Sequence, residues 1–287
     1  MKWLILVICV CLQGCSTNYF LYSPNDDIGF NKSDFHHPVK DSFIRSRSGN
    51  TLHLQHHLTD DPIGLVIHFH GNRGNLTQTV EKVVWLVDEG YDVLLVDYSG
   101  YGLSTGIPTR QHLALDAQTI FEITADLNYS HKVIIATSMG GAIALDGLEK
   151  SQLESQFDLL VIDSSFESYQ NLAHDVVANI PVAKWFSNKI PSLVSDERAP
   201  KENITALTDV DMVIAHCQDD NLIPISRGQA LYSFAGENSQ FWQFEGCRHA
   251  RTFTNEFPDN QQRLLSYINE NRTNKLTARN SQSVLLD

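Results

Sequence analysis

Five short apolar runs constrain this chain more than any other feature: "GLVIHFH" (64–70), "YDVLLVDY" (91–98), "KVIIAT" (132–137), "FDLLVID" (157–163) and "DMVIAH" (211–216). Each is nearly continuous in Val, Ile and Leu rather than alternating with polar residues, which is the pattern of a strand buried on both faces. Between them lie stretches with helical spacing. Leu76, Val80, Val83, Val84 and Val87 repeat behind an Asn75 cap and stop at Gly90; Leu113, Ala117, Ile120, Phe121 and Thr124 mark a second helical face. "GGAIALDGL", a segment near 226–235 and another near 257–270 supply further helices, and "QFWQFEG" (240–246) a further strand. "FIRSRSGNTLHLQHHL" alternates on either side of Ser-Gly-Asn, as a β-hairpin does. Strand alternating with helix predicts an α/β fold: a mostly parallel twisted sheet with helices on both faces. One stretch breaks the rhythm. Residues 166–208 hold three of the nine prolines and no clear strand, so they read as a small helical lid inserted above the sheet.

The 287 residues suffice to bury a full core, and 42% apolar with 19% charged residues is a globular composition. A formal net charge of −13 excludes nucleic acid as a natural partner, because no basic stripe is left to neutralise phosphates. The N-terminus differs in kind. "MKWLILVICVCLQGC" has one lysine, an apolar run too short to span a bilayer, then small residues and a cysteine. "LQGC" resembles the bacterial lipobox through Leu12, Gly14 and Cys15, with Gln13 a departure. That resemblance implies a signal peptide over 1–14, a diacylglyceryl anchor on Cys15 and a bacterial cell-envelope location; an ordinary cleaved signal or a short anchor is the alternative. Ser16 after the cysteine favours the outer membrane, facing the periplasm. Residues 15–42 then read as a lipid-tethered spacer, and 271–287, polar and without periodicity, as a flexible tail.

Ser138 directly follows "KVIIAT" and Met139-Gly140-Gly141 opens the next helix, so it is either a nucleophile on a strand-to-helix turn or an ordinary helix cap. A serine hydroxyl needs a base in reach, an acid to orient that base, and donors for the oxyanion. In open α/β sheets these groups gather at the carboxyl ends of strands. Asp220 lies past "DMVIAH" in "HCQDDNLIP", and His249 past "FWQFEG" in "CRHAR". The order Ser–Asp–His is that of the α/β-hydrolase triad. "HFHGNRGN" (68–75) ends another strand with a turn whose backbone N–H groups suit an oxyanion site.

"HGN", "DYSGYGLSTGIP", "SMGG", "H…DD…IP" and the late "GxxH" resemble the α/β-hydrolase superfamily over roughly residues 43–270, nearest to its small esterase- and thioesterase-like branch. The resemblance implies that Asp220, four residues after His216, is the acid rather than Asp219. It also implies that the N–H groups of Met139 and Asn72 form the oxyanion hole. Departures are Ala136 where glycine opens the motif, Cys217 for glycine and Ser99 for arginine. A hydrogen bond between Asp220 and His249 would bring their loops side by side, which leaves Cys217 and Cys247 either paired in a disulfide or as two buried or half-buried thiols.

The implied activity is hydrolysis of carboxylic esters or thioesters, of small molecules or lipids, through an acyl-enzyme. A peptidase or amidase on the same triad, or a non-catalytic binding protein on the hydrolase fold, are the alternatives. "HLQHH" (53–57) and "HFH" (68–70) sit in predicted strands without acidic or thiol neighbours, so no metal is expected there, no cofactor is required, and no obligate protein partner is evident. His70 and His216 read as loop supports rather than bases. The lid's Val176, Val177, Ile180, Val182, Trp185, Phe186, Ile190 and Leu193 offer apolar surface for an acyl chain or for packing on the sheet.

Overall fold

In the computed structural model, which describes residues 22–178, 185, 189 and 191–284, the apolar runs become the inner strands of one eight-stranded sheet. In chain order the strands are β1 (Val39–Arg45), β2 (Thr51–His57), β3 (Gly64–Phe69), β4 (Tyr91–Val96), β5 (Lys132–Thr137), β6 (Leu159–Asp163), β7 (Asp211–Cys217) and β8 (Ser239–Phe244). They lie side by side as β1-β2-β4-β3-β5-β6-β7-β8. The β1–β2 hairpin and the β2–β4 pair are antiparallel; every other pair is parallel. The helices are α1 (Leu76–Thr79), α2 (Arg110–Ala125), α3 (Met139–Ser151), α4 (Tyr169–Ala178), α5 (Pro200–Thr205), α6 (Ile225–Tyr232) and α7 (Pro258–Val284).

The near-continuous apolar runs are explained by two cores. Along β5, Ile134 and Ala136 point to one face, where Phe69, Phe121, Leu145 and Leu148 pack from β3, α2 and α3. Val133 and Ile135 point to the other, against Val83 and Leu86 ahead of β4 and Leu264 and Ile268 of α7. A strand with helices on both sides has no polar face to show. α2 and α3 cross closely: a Cβ on Gly147 would come within 2.3 Å of the Ala117 Cβ.

The chain goes from β3 to β4 on one side and returns past β3 to β5 on the other, so the sheet order switches between β3 and β5. The loops leaving the carboxyl ends of these two strands therefore meet at a crevice.

Three expectations need correction. The predicted helix over 76–87 is one turn of α-helix followed by two 3₁₀ turns, Val80–Lys82 and Val84–Val87. Four valines between 80 and 87 disfavour a regular helix, while the burial of Val80, Val83 and Val87 preserves the apolar spacing. The expected spacer over 15–42 is docked from Tyr22 onward. Tyr22 is buried, Ser23–Pro24 pair in parallel with Arg73–Gly74, and Asn75 Nδ2 donates to the Asn25 and Asp27 carbonyls at 3.1 and 2.9 Å. The expected tail over 271–287 is helical as far as Val284. Its anchors are polar and spaced by four: Asn271 bonds Asp211 and His131, Lys275 pairs with Asp211, and Arg279 reaches Asp158 and the Ser130 carbonyl. Such a stripe leaves no hydrophobic periodicity to find. The signal peptide over 1–14 and Cys15 lie outside the described residues, as do Ile180, Val182, Phe186 and Ile190.

Candidate active site

Ser138 sits between β5 and α3 with φ 55° and ψ −119°, a backbone conformation that L-residues avoid. Three contacts hold it there. Its N–H donates to the Asp163 carbonyl at 2.7 Å, its carbonyl accepts from Gly141 N at 3.0 Å, and Gly140 lets α3 pass hard against β3. A Cβ at Gly140 would lie 2.1 Å from the Phe69 carbonyl oxygen and 2.6 Å from that of His70. Ala136, the departure from the usual glycine, pairs between Phe69 and Ile162 with its methyl in the core, so it does not obstruct the turn. The Ser138 hydroxyl makes no capping bond to α3. It is turned away from the helix and lies 2.9 Å from His249 Nε2.

His249 leaves the loop after β8, and its Nδ1 lies 2.8 Å from Asp220 Oδ2. The carboxylate is out of contact with solvent, and its second oxygen accepts the N–H groups of Leu222 and Ile223, each at 2.9 Å. His216 Nε2 stands 3.4 Å from Asp220 Oδ2 and 2.9 Å from the Ile223 carbonyl, bracing the loop from inside. Burial pushes the Asp220 carboxyl up, but hydrogen bonds from His216 and His249 and the charge His249 can carry outweigh it and hold the group well below the usual carboxylate range. Asp219 is exposed and accepts instead from Gly246 N at 2.7 Å. It fastens the turn ahead of His249, while Asp220 meets the histidine itself. Cys217 and Cys247 are joined, with Cα atoms 5.7 Å apart, so the same two loops are also clasped covalently.

On the opposite side of Ser138 lies the His70–Asn72 turn. A Cβ on Gly71 would stand 3.4 Å from the Ser138 Cβ, so this backbone lines the site. Tyr98 Oη donates to the His70 carbonyl at 2.9 Å and Tyr101 Oη to the Asn72 carbonyl at 3.1 Å. His70 is a loop support: its Nδ1 contacts the Gly71 carbonyl at 2.7 Å and its ring packs on Tyr98.

A family model described as "Serine aminopeptidase, S33" matches residues 60–230. The chain belongs to this hydrolase family. The matched span includes Ser138 and Asp220 and ends before His249. Among curated proteins the chain is similar to YfhR of Escherichia coli K12, 26% identical over 269 residues that cover 89% of this chain and 88% of that one. It is also similar to mouse lysophosphatidylserine lipase ABHD12, 24% identical over 237 residues covering 79% of this chain and 58% of that protein. Among solved structures, the Pyrococcus furiosus esterase Pf2001 superposes with TM-score 0.69 at 19% identity, covering 87% of this chain and 98% of the esterase. The Exiguobacterium antarcticum esterase does so with TM-score 0.61 at 21% identity, covering 80% of this chain and 100% of that one. These two share the α/β-hydrolase fold.

Sequence reasoning missed the supports of this hydrolase's site. Ser164, with φ 57°, accepts the Ala250 N–H on its Oγ at 3.1 Å and donates to Asp163 Oδ1 at 2.9 Å. Lys82 Nζ donates to the Ala250 carbonyl, so both backbone groups of the residue after His249 are held. Thr252 Oγ1 donates to Asp163 Oδ1 at 2.6 Å. Ser23 N donates to Asn72 Oδ1 at 2.9 Å, tying the N-terminal segment to the crevice. Apart from the adjacent Ser164 and Asp163, none of these pairs has a sequence spacing that signals contact; the strand-end position of Asp163 is the one signal that could have found a support. A separate cavity of about 470 Å³ between α2, α3 and the 194–198 segment is lined by Arg110, Asp146, Lys150 and Arg198 and includes none of Ser138, Asp220 or His249. Among the described residues of the 166–208 segment, Val177 is buried whereas Trp185 and Leu193 are exposed. Arg227 of α6 holds α4 through Asp175, at 2.6 Å, and the turn ahead of it through Glu167, at 3.2 Å.

Proposed function

We propose that the protein is a serine hydrolase that cleaves carboxylic ester or thioester bonds through an acyl-enzyme on Ser138. The observation that carries this reading is the continuous chain Ser138 Oγ–His249 Nε2–His249 Nδ1–Asp220 Oδ2, at 2.9 and 2.8 Å, on a serine whose hydroxyl does nothing for its own helix. His249 takes the Ser138 proton as the oxygen attacks the carbonyl, then returns it to the leaving alcohol or thiol. Asp220 holds the imidazole in the tautomer with Nδ1–H and stabilises the imidazolium that forms. The oxyanion goes to the N–H groups of Met139 and Asn72, where loss of one donor typically costs on the order of 10² to 10³ in rate. Water then attacks the acyl-enzyme with His249 as base again. The test is Ser138→Ala on a p-nitrophenyl acyl ester together with a fluorophosphonate probe. Activity and labelling should both vanish; an alanine variant that retains full hydrolysis ends this assignment.

Exposed Trp185 and Leu193 on the lid, and the similarity to a lysophosphatidylserine lipase, favour monoacyl lipid esters as first substrates. The family description favours one alternative, cleavage of aminoacyl amides on the same residues. A panel of short and long acyl esters, thioesters, a lysophospholipid and aminoacyl p-nitroanilides separates them. We place the hydrolase at a bacterial envelope membrane, anchored by lipid on Cys15 and facing the periplasm from the outer membrane. Metabolic palmitate labelling should mark the wild type and not Cys15→Ser; an unlabelled wild type removes the anchor.

A further inference from the structure

At the end of the sheet away from Ser138, two adjacent histidines meet an aspartate. His36 and His37 immediately precede β1, and Asp88 lies in the turn ahead of Gly90 and β4. One donor atom from each residue lies within 4.8 Å of a donor atom of the other two. His36 Nε2 is 2.9 Å from Asp88 Oδ1.

The His37 ring is oriented by a relay that can be read from its far end. Asp41 Oδ1 accepts from Gln55 Nε2 at 3.1 Å, which turns the amide oxygen of Gln55 to His57 Nε2 at 3.0 Å. An amide oxygen only accepts, so His57 Nε2 carries the proton and its Nδ1 keeps a lone pair. That Nδ1 lies 2.8 Å from His37 Nε2, which must then be the donor. Neutral His37 is left with its lone pair on Nδ1, and Nδ1 is buried with no hydrogen-bond partner among the described residues. A buried polar atom without a partner is costly and calls for an explanation. A neutral imidazole whose other N–H is held by a fixed acceptor is the state in which histidine binds metal.

We propose that His36, His37 Nδ1 and an Asp88 carboxylate oxygen form a binding site for a divalent transition-metal ion, with Zn²⁺ the best match and water completing the shell. Two imidazoles and a carboxylate suit Zn²⁺ and its late first-row neighbours, whereas Ca²⁺ and Mg²⁺ take oxygen ligands. Metal–ligand distances of about 2.0–2.2 Å set the donors roughly 3.3 Å apart, so the His36–Asp88 pair at 2.9 Å opens slightly while both move in around His37. The side chains of His36 and Asp88, 76% and 60% exposed, are free to make that adjustment around the fixed His37. The ion would pin the segment leading into β1 to the turn before β4. It takes no part in hydrolysis, because the site and Ser138 lie at opposite ends of the sheet. A bare His36–Asp88 ion pair with water on His37 Nδ1 is the competing account.

The experiment uses the full chain without a polyhistidine tag, stripped with EDTA and titrated with Zn²⁺ against a chromophoric chelator at neutral pH. One Zn²⁺ per chain is expected. His37→Ala and Asp88→Asn should each weaken binding at least about tenfold, as should Gln55→Leu, which leaves all three ligands in place but removes the acceptor that sets the relay. Far-UV circular dichroism and ester hydrolysis, both unchanged, show that the variants are folded. No Zn²⁺ held by the wild type, or equal binding by the triple variant His36→Ala/His37→Ala/Asp88→Asn, overturns the site.

Discussion

Asp163 and Asp220 stand at or just beyond the carboxyl ends of neighbouring strands, and both carboxylates are withdrawn from water, yet they are driven in opposite directions. Burial raises Asp163, and the hydroxyls of Thr252 and Ser164, with the charges that Lys82 and His216 can carry but no imidazole hydrogen-bonded to the carboxylate, do not reverse it. Burial also raises Asp220, but two imidazole partners and a backbone N–H outweigh it, and the group stays ionised far into acid. Hydroxyl donors satisfy a buried carboxylate without compensating its charge; an imidazole that can become imidazolium does both. The loop after β6 is therefore a scaffold. The Asp163 carbonyl holds the Ser138 N–H, and Ser164 holds the Ala250 N–H. The loop after β7 is an electrostatic partner for His249.

The same substitution on the two strand ends is the sharpest way to break this contrast. Asp220→Asn should lower kcat about 10⁴-fold with KM little moved, because the amide favours the wrong imidazole tautomer. Steady-state hydrolysis of a p-nitrophenyl ester measures it. The sign in pH follows from the depressed value: Asp220 contributes stability that is present above its unfolded pKa of 3.8 and is lost as pH falls through the folded value. Acid-unfolding curves of wild type and Asp220→Asn should therefore converge only below about pH 4.

Next in size is the clasp that only the Asp220 loop possesses. Opening Cys217–Cys247, which encloses a 30-residue separation, should cost about 3–4 kcal/mol by the loop-entropy relation. Urea unfolding of Cys217→Ser/Cys247→Ser against the oxidised wild type reads this directly, with thiol counting as control. Ser164→Ala removes the acceptor for Ala250 N; a loss of about 1 kcal/mol in stability and a several-fold fall in kcat at constant KM are expected. The smallest effect belongs to Asp163→Asn. A neutral amide still accepts from Thr252 and no longer suffers the burial of charge, so stability at neutral pH should hold or rise within about 1 kcal/mol. A fall in kcat as deep as that of Asp220→Asn would erase the distinction between scaffold and partner.

The sheet was legible because burial on both faces writes itself into consecutive residues, as in Leu65–Phe69 and Val133–Ala136. The positions of Ser138, Asp220 and His249 were legible because each lies at or within a few residues of a strand's carboxyl end, where an α/β sheet collects its functional groups. Three parts were not. The helix over 76–87 broke into 3₁₀ turns because tertiary burial kept the spacing while the valines refused the geometry. The C-terminal helix past Asn271 is held by Asn271, Lys275 and Arg279 on buried or half-buried acids, an anchoring that hydropathy cannot register. Tyr22 and Ser23, read as spacer, complete the wall beside Asn72.

Sequence alone determined the strand–helix order, the two-sided core and the placing of Ser138, Asp220 and His249 after strands, since these are set by local pattern and by the ends of strands. Tertiary structure alone decided that the Ser138 hydroxyl leaves its helix for His249, and that Asp219 turns instead to the Gly246 N–H. It also decided that Lys82, Asp163 and Ser164 brace the loop from across the sheet. The reason is one of range: apolar burial is encoded residue by residue, whereas a hydrogen bond between residues 86 or 168 positions apart exists only once the fold has brought its two ends together.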